Sequence, residues 1–132
     1  MILNAGSREG VRKGQAVING SGLIGRIQEV GRRSSRLLLL ADLNSRIPVV
    51  IELSRARGVV AGTNGDTLSL VHLPPDVLTE PGDRIVTSGH GGALPPGIPV
   101  GVVATVSDNV ISVEPFVDPS RLELVRVLDY GL

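Results

Sequence analysis

Apolar and polar positions along this chain alternate in short runs broken by glycine and proline, and that rhythm predicts strands. Residues 23–30 put Leu23, Gly25, Ile27 and Glu29 on one face and Ile24, Arg26, Gln28 and Val30 on the other, the period of two of a half-buried strand. Similar runs at 1–3, 15–19, 37–40, 47–53, 57–62, 67–72, 82–87, 100–106, 110–114 and 122–128 bring the expected number of strands to about eleven. Leu37 to Leu40 is a run of four leucines. It fits a strand buried on both faces or a helical turn, and its turn-rich flanks favour the strand.

The connections carry turn chemistry. Asn19-Gly20-Ser21-Gly22 and Asn64-Gly65-Asp66 suit hairpins, because Asn and Gly tolerate the positive φ of primed turns. Asp42-Leu-Asn44-Ser45-Arg46 is a polar turn in which Asp42 or Asn44 is placed to bond the backbone two residues on. Pro48 keeps the start of the following strand at an edge. Asp76 is placed to cap a short helical turn that ends at Pro81. The densest punctuation lies at 87–101, where five glycines and three prolines fall within fifteen residues. That composition predicts a stiff, pre-shaped loop between two strands.

An internal echo runs through the pattern. Gly14-Gln-Ala-Val, Leu23-Ile-Gly25-Arg-Ile and Ser35-Arg36-Leu37 recur in order as Gly82-Asp-Arg-Ile, Pro99-Val-Gly101-Val-Val and Ser120-Arg121-Leu122. In each half a glycine interrupts a β-run, which allows a close backbone approach or a sharp coil at a barrel corner. The expected fold is therefore all-β, two small and mostly antiparallel barrels of about six strands each with little or no helix. The preferred division is discontinuous: residues 1–45 with 118–132 as one barrel and 46–117 as the other. A sequential split near residue 73 is the alternative.

Composition narrows the core. Hydrophobic residues make up 42% of the 132, but aromatics only 2%, so aliphatic side chains must fill it, as narrow barrels allow. The absence of cysteine excludes disulfide staples, cysteine-bound zinc and a thiol nucleophile. No run reaches the roughly 18 apolar residues of a membrane span. The formal charge is zero but unevenly spread: residues 1–57 hold ten Lys/Arg against four acids, and residues 58–132 hold three against nine. Opposite ends of opposite sign favour head-to-tail contact with another copy, or a basic face on an anionic surface. Arg32, Arg33 and Arg36 are the candidate basic contact patch.

Candidate chemistry is thin. Ser88-Gly-His90 with Asp83 nearby admits a serine-hydrolase reading as an alternative. Yet a nucleophile needs a base within reach and a third group to orient it, and sequence neighbours on an extended chain splay apart. His72 and His90, the only histidines, show no metal-ligand spacing. No catalytic, metal or cofactor site is expected. A nucleic-acid-binding small barrel is a further alternative through the arginines. It lacks aromatic stacking platforms, so no nucleic-acid partner is expected.

The order of motifs nonetheless resembles one family. Gly14-Gln-x-Val, Gly22-Leu-Ile-Gly25-Arg, Ser35-Arg36, Leu39-Leu-Ala-Asp42-x-Asn44-Ser45-Arg46-Ile-Pro48-Val49, Gly58-x-x-x-Gly62, Gly82-Asp83 and Thr87-Ser88-Gly89 come first. Gly91-Gly92 and Pro95-Pro96-Gly97-Ile98-Pro99-Val100-Gly101 complete the series. Together they are similar to the extracytoplasmic part of the MreC rod-shape family. The resemblance implies two small barrels like those of trypsin-like proteases but without a triad. It also implies a non-enzymatic scaffold of the cell-elongation machinery, without cofactor. Implied partners are further copies of itself (dimer or filament), class B penicillin-binding proteins, MreD and RodA. The implied location is the periplasmic side of the bacterial inner membrane, with the full-length protein held by an N-terminal helix outside this soluble piece. Its candidate interaction loops are Asp42, Asn44, Ser45, Arg46 and Pro48, and then Thr87, Ser88, Gly89, His90, Gly91, Gly92, Pro95, Pro96, Gly97, Pro99 and Gly101. His90 departs from the apolar residue that the resemblance leads one to expect.

Overall fold

The computed structural model describes residues 1–90, 94–108, 110–118 and 125–128. Eleven strands run through them: β1 (Ile2–Leu3), β2 (Ala16–Ile18), β3 (Leu23–Val30), β4 (Ser35–Leu39), β5 (Arg46–Ile51), β6 (Arg57–Gly62), β7 (Leu68–Val71), β8 (Arg84–Thr87), β9 (Pro99–Ser107), β10 (Val110–Pro115) and β11 (Arg126–Val127). The only helical element among the described residues is one 3₁₀ turn, Ser7–Glu9. The all-β expectation therefore holds. No helical turn follows Asp76, however. The carbonyl of Pro74 accepts the Val77 N–H in an isolated turn, and Asp83 accepts the Glu80 N–H through its side chain. Pro81 follows five residues after Asp76 and keeps Glu80 out of the helical region, and the Glu80 N–H is already taken by Asp83, so no second turn can form.

The strands form two sheets, and all strand pairs are antiparallel. β5 to β10 close into a six-stranded barrel in the cyclic order β10-β7-β6-β5-β8-β9, while β1-β4-β3-β2-β11 form a five-stranded sheet. Of the two barrels expected, the described residues close one, and nothing in its strand order marks it as trypsin-like. Among the described residues the five-stranded sheet is open: its edge strands pair over two residues each, β1 with β4 and β11 with β2, and nothing described joins β1 to β11. Residues 122–124 of the expected last strand lie outside the described residues.

The internal echo is a structural duplication. β2-β3-β4 and β8-β9-β10 are the same three-stranded unit, matched bond for bond. The Gly14 N–H donates to Ile27 O and the Gly82 N–H to Val103 O, both at 2.8 Å. The Ile27 N–H returns to Gln15 O and the Val103 N–H to Asp83 O, both at 2.9 Å. Gln15 Oε1 accepts from Arg12 N, as Asp83 Oδ2 accepts from Glu80 N. The register slips past Ile24 in one unit and Val100 in the other, then past Gln28 and Ala104. At Gly25 a Cβ would strike the Leu38 carbonyl and at Gly101 the Glu114 carbonyl, so both glycines serve a close approach to the next strand. The structure corrects one part of the echo. The counterpart of β4 is β10, since Gly25 faces Leu39 and Gly101 faces Pro115. Residues 120–122, expected in that place, lie outside the described residues.

The strand that follows each unit crosses to the other one. β5 follows β4 but pairs with β8, and β11 follows β10 but pairs with β2. This exchange ties the two sheets together. Ala16, Leu23 and Leu40 of the open sheet share one buried cluster with Ile47, Leu68 and Val100 of the barrel. A smaller cluster of Val11, Val17, Ile24, Ile27, Leu37 and Val117 lies on the open sheet.

Candidate functional site

The two stretches with the most particular sequence, 42–49 and 87–101, meet in space. Val49 pairs with Thr87 across β5 and β8, and the Ser88 N–H donates to Pro48 O at 3.2 Å. Pro48 is in no free edge, because β5 is paired on both sides. It lies one residue before the β8 ladder begins, where a missing N–H costs that ladder nothing.

The 42–46 turn is held from within. Asp42 Oδ1 accepts the Asn44 N–H at 2.8 Å and Asp42 O the Ser45 N–H at 2.9 Å. Of the two residues able to make such a turn, Asp42 makes it and Asn44 is exposed. Ser45 is buried, and its carbonyl accepts the Gly62 N–H at 3.1 Å. Gly62 packs so closely that a Cβ there would collide with Asp42 O. Arg46 turns its guanidinium back onto the Leu43 and Ser45 carbonyls at 2.9 and 2.8 Å. Arg26 of β3 reaches the Arg46 carbonyl at 3.1 Å, so this turn also joins the sheets.

The 87–101 loop hangs on one buried hydroxyl. Thr87, 1% exposed, donates through Oγ1 to Pro95 O at 2.7 Å and accepts the Ile98 N–H at 2.9 Å. Its backbone bonds the same segment twice more, through Ile98 O and the Gly97 N–H. Gly89 (φ 76°) and Gly97 (φ 85°) take the left-handed conformation that glycine adopts at least cost. A Cβ at Gly89 would press on Pro96 at 2.9 Å. Leu94 and Ile98 are buried beneath the loop, leaving Pro96, Gly97 and His90 at the surface. Pro95 is half-buried, and Pro99 packs its carbonyl against Gly22 of the β2–β3 turn. Gly91 and Gly92 lie outside the described residues.

No triad forms at Ser88. Its Oγ accepts the His90 backbone N–H at 3.1 Å, and the Asp83 carboxylate is engaged with Glu80 N. Both are the local side-chain-to-backbone bonds of turns. The fold does bring the two histidines together: His72 and His90 line one groove with Pro48, Arg57, Val59 and Ser88. Sequence spacing concealed this, because β7 and β8 flank the paired strands β6 and β5 from opposite sides and so bring residues eighteen apart to one groove. No group of three or more metal-ligating side chains occurs among the described residues. Arg32, Arg33 and Arg36 are exposed on the other sheet, where the Arg8 N–H donates to Arg32 O.

Residues 1–129 match the family model described as rod shape-determining protein MreC, barrel core. A curated relative from Cereibacter sphaeroides, a cell shape-determining protein MreC, is 45% identical over 97% of this chain and 43% of its own length. One from Caulobacter vibrioides is 40% identical over 96% of this chain and 37% of its own. The chain therefore spans about two fifths of the length of these relatives. The crystal structure of MreC from Pseudomonas aeruginosa superposes with a TM-score of 0.90 at 30% identity, covering 97% of this chain and 87% of that one. A structure described as the major periplasmic domain from the cell shape-determining filament MreC gives 0.82 at 26% identity, covering 94% and 82%. A complex between penicillin-binding protein PBP2 and MreC from Helicobacter pylori contains a chain that gives 0.61 at 26% identity, covering 76% and 64%.

Proposed function

This chain belongs to the MreC family of rod shape-determining proteins, and we propose that it is a non-enzymatic scaffold on the periplasmic side of the inner membrane. In this reading it recruits cell-wall synthases to the elongation machinery. The observation that carries the reading is the pair of joined, internally bonded loops at 42–49 and 87–101, on a chain that superposes along nearly its whole length on solved MreC structures. A surface held by its own hydrogen bonds loses little entropy on docking, and Ser88 Oγ is one of the atoms so held, by the His90 backbone N–H.

The partner favoured by the Helicobacter complex is a class B penicillin-binding protein. MreD, RodA and further copies of the chain complete the proposed assembly. The interaction residues proposed are Asp42, Asn44, Ser45, Arg46 and Pro48 with Thr87, Ser88, Gly89, His90, Gly91, Gly92, Pro95, Pro96, Gly97, Pro99 and Gly101, and Arg32, Arg33 and Arg36 as a separate basic contact. The proposed domains are 1–45 with 118–132, and 46–117.

The test is biolayer interferometry between the immobilised chain and the periplasmic region of a class B penicillin-binding protein from the same organism. Saturable binding that weakens when Ser88 and His90 are both changed to Glu supports the reading. No binding, or covalent labelling of Ser88 by a fluorophosphonate probe, overturns it.

A further inference from the structure

The groove at the junction of the two loops has hydrogen-bond donors to spare. It crosses four neighbouring strands of the barrel, in the order β7-β6-β5-β8. Pro48 and Val59, both half-buried, are cross-strand partners in its lining, and Arg57, two residues before Val59, shares their outward face. His72 follows β7, and Ser88 and His90 follow β8. The groove's volume of about 240 Å³ is small for a drug-sized cofactor and suits one or two side chains.

Four lining side chains carry donors that no acceptor uses among the described residues: the Arg57 guanidinium, the two imidazoles and the Ser88 hydroxyl. Each imidazole holds an N–H in either protonation state. Ser88 Oγ accepts the His90 backbone N–H and keeps its own proton to give. Among the described residues no carboxylate lines the groove. This runs against the composition of the barrel, whose residues 46–117 include seven acids and four arginines. Two of those arginines are engaged, Arg84 with Glu52 at 3.3 Å and Arg46 with the Leu43 and Ser45 carbonyls. Arg57 is exposed and is not. His72 holds a left-handed backbone, φ 61°, which costs a non-glycine residue energy and is a common mark of a functional position.

We infer that this groove is a carboxylate-binding site, filled by an acidic side chain of the partner segment that docks on the two loops, with an aliphatic neighbour against Pro48 and Val59. A carboxylate only accepts, so it can take the fork of Arg57 and the imidazole N–H groups together, in charge-assisted bonds. Complementarity of donor and acceptor selects the ligand. Position selects its source: Pro48, Ser88 and His90 belong both to the groove and to the loops proposed to dock the synthase. The inference rests on that scaffold reading and adds Arg57 and His72 to it.

The test uses the 132-residue chain and a short acetylated, amidated peptide centred on Leu-Glu-Leu, followed by NMR. The chain has two histidines, so their ring signals report on the groove directly. The glutamate peptide should shift both, along with the amides of Arg57 and Ser88. A Leu-Gln-Leu peptide should bind about tenfold more weakly or worse. Arg57→Gln should cost the glutamate peptide a similar factor. So should His72→Asn, which removes the imidazole but keeps a residue that tolerates the left-handed backbone; amides elsewhere in the barrel should stay in place in both variants. The inference is overturned by no shift at millimolar peptide, by equal binding of the two peptides, or by full binding to Arg57→Gln. It is equally overturned if the ring signals move with protein concentration alone, which makes a second copy the occupant. Against the penicillin-binding protein itself, both variants should lose about tenfold in affinity by interferometry. Undiminished binding there sinks the carboxylate site and leaves the scaffold reading standing. No synthase binding at all sinks that reading, and glutamate-selective binding of the peptide still upholds the site.

Discussion

The open sheet and the barrel share one three-stranded unit and differ in what completes it. In the barrel, β5, β6 and β7 carry the unit round to closure, so every strand is paired on both sides and Ile47, Val60, Ile85, Val100 and Val113 are fully enclosed. In the sheet, two-residue strands flank the same unit, and much of its apolar face is only partly covered. Local bonding is the same in both places, down to the glycine and the register slips. Closure is therefore not encoded in the repeated unit; it depends on the strands supplied beside it.

Four measurements break or sharpen that contrast. The largest effect is expected in hydrogen exchange. Amides of β5 and β9 should exchange only with global unfolding, while those of β1 and β11 exchange through local opening, with rates about a hundredfold faster or more. Equal protection in both would erase the distinction between the sheets.

Next is steric. Gly101→Val forces a side chain against the Glu114 carbonyl between two paired strands. It should cost about 3 kcal/mol, the upper end of overpacking effects, in urea denaturation. Gly25→Val, the same change in the open unit against the Leu38 carbonyl, should cost less, because that sheet can splay at its edges. A larger loss at Gly25 would show the open sheet to be the more rigid.

Third, Thr87→Val leaves Pro95 O and the Ile98 N–H without their shared partner. A loss of about 2 kcal/mol is expected, together with new proteolytic cleavage within the 87–101 loop. Ser35→Ala is the smallest and opposite case. It removes a buried hydroxyl that has no partner, so stability should stay level or rise by up to about 1 kcal/mol. A clear loss there would mean that the hydroxyl is engaged.

Much of the architecture was legible in the chain. The period-two runs located the strands, and the Asn-Gly turns located two hairpins: Asn19 accepts the Ser21 and Gly22 N–H groups, and Asn64 takes φ 63°. The glycines of the echo were legible as close approaches because only the loss of a side chain explains a gap in an apolar run. No helical turn forms after Asp76 because a capping residue cannot compensate for a proline five residues on. The open sheet was missed because strand number alone does not say whether the edges meet. At the candidate site the two loops could be picked out singly, but their junction through Pro48 and Ser88 could not, since the stretches begin 45 residues apart.

By itself the sequence determined where the backbone could extend, where it had to turn and which faces were apolar, for these depend on neighbours a few residues away. Tertiary structure alone decided which strands became partners. It sent β5 and β11 each to the other unit, brought His72 and His90 to one groove, and closed one sheet while the other is open among the described residues. Backbone hydrogen bonds are alike for every strand, so pairing is chosen by packing across long separations, which no local pattern records.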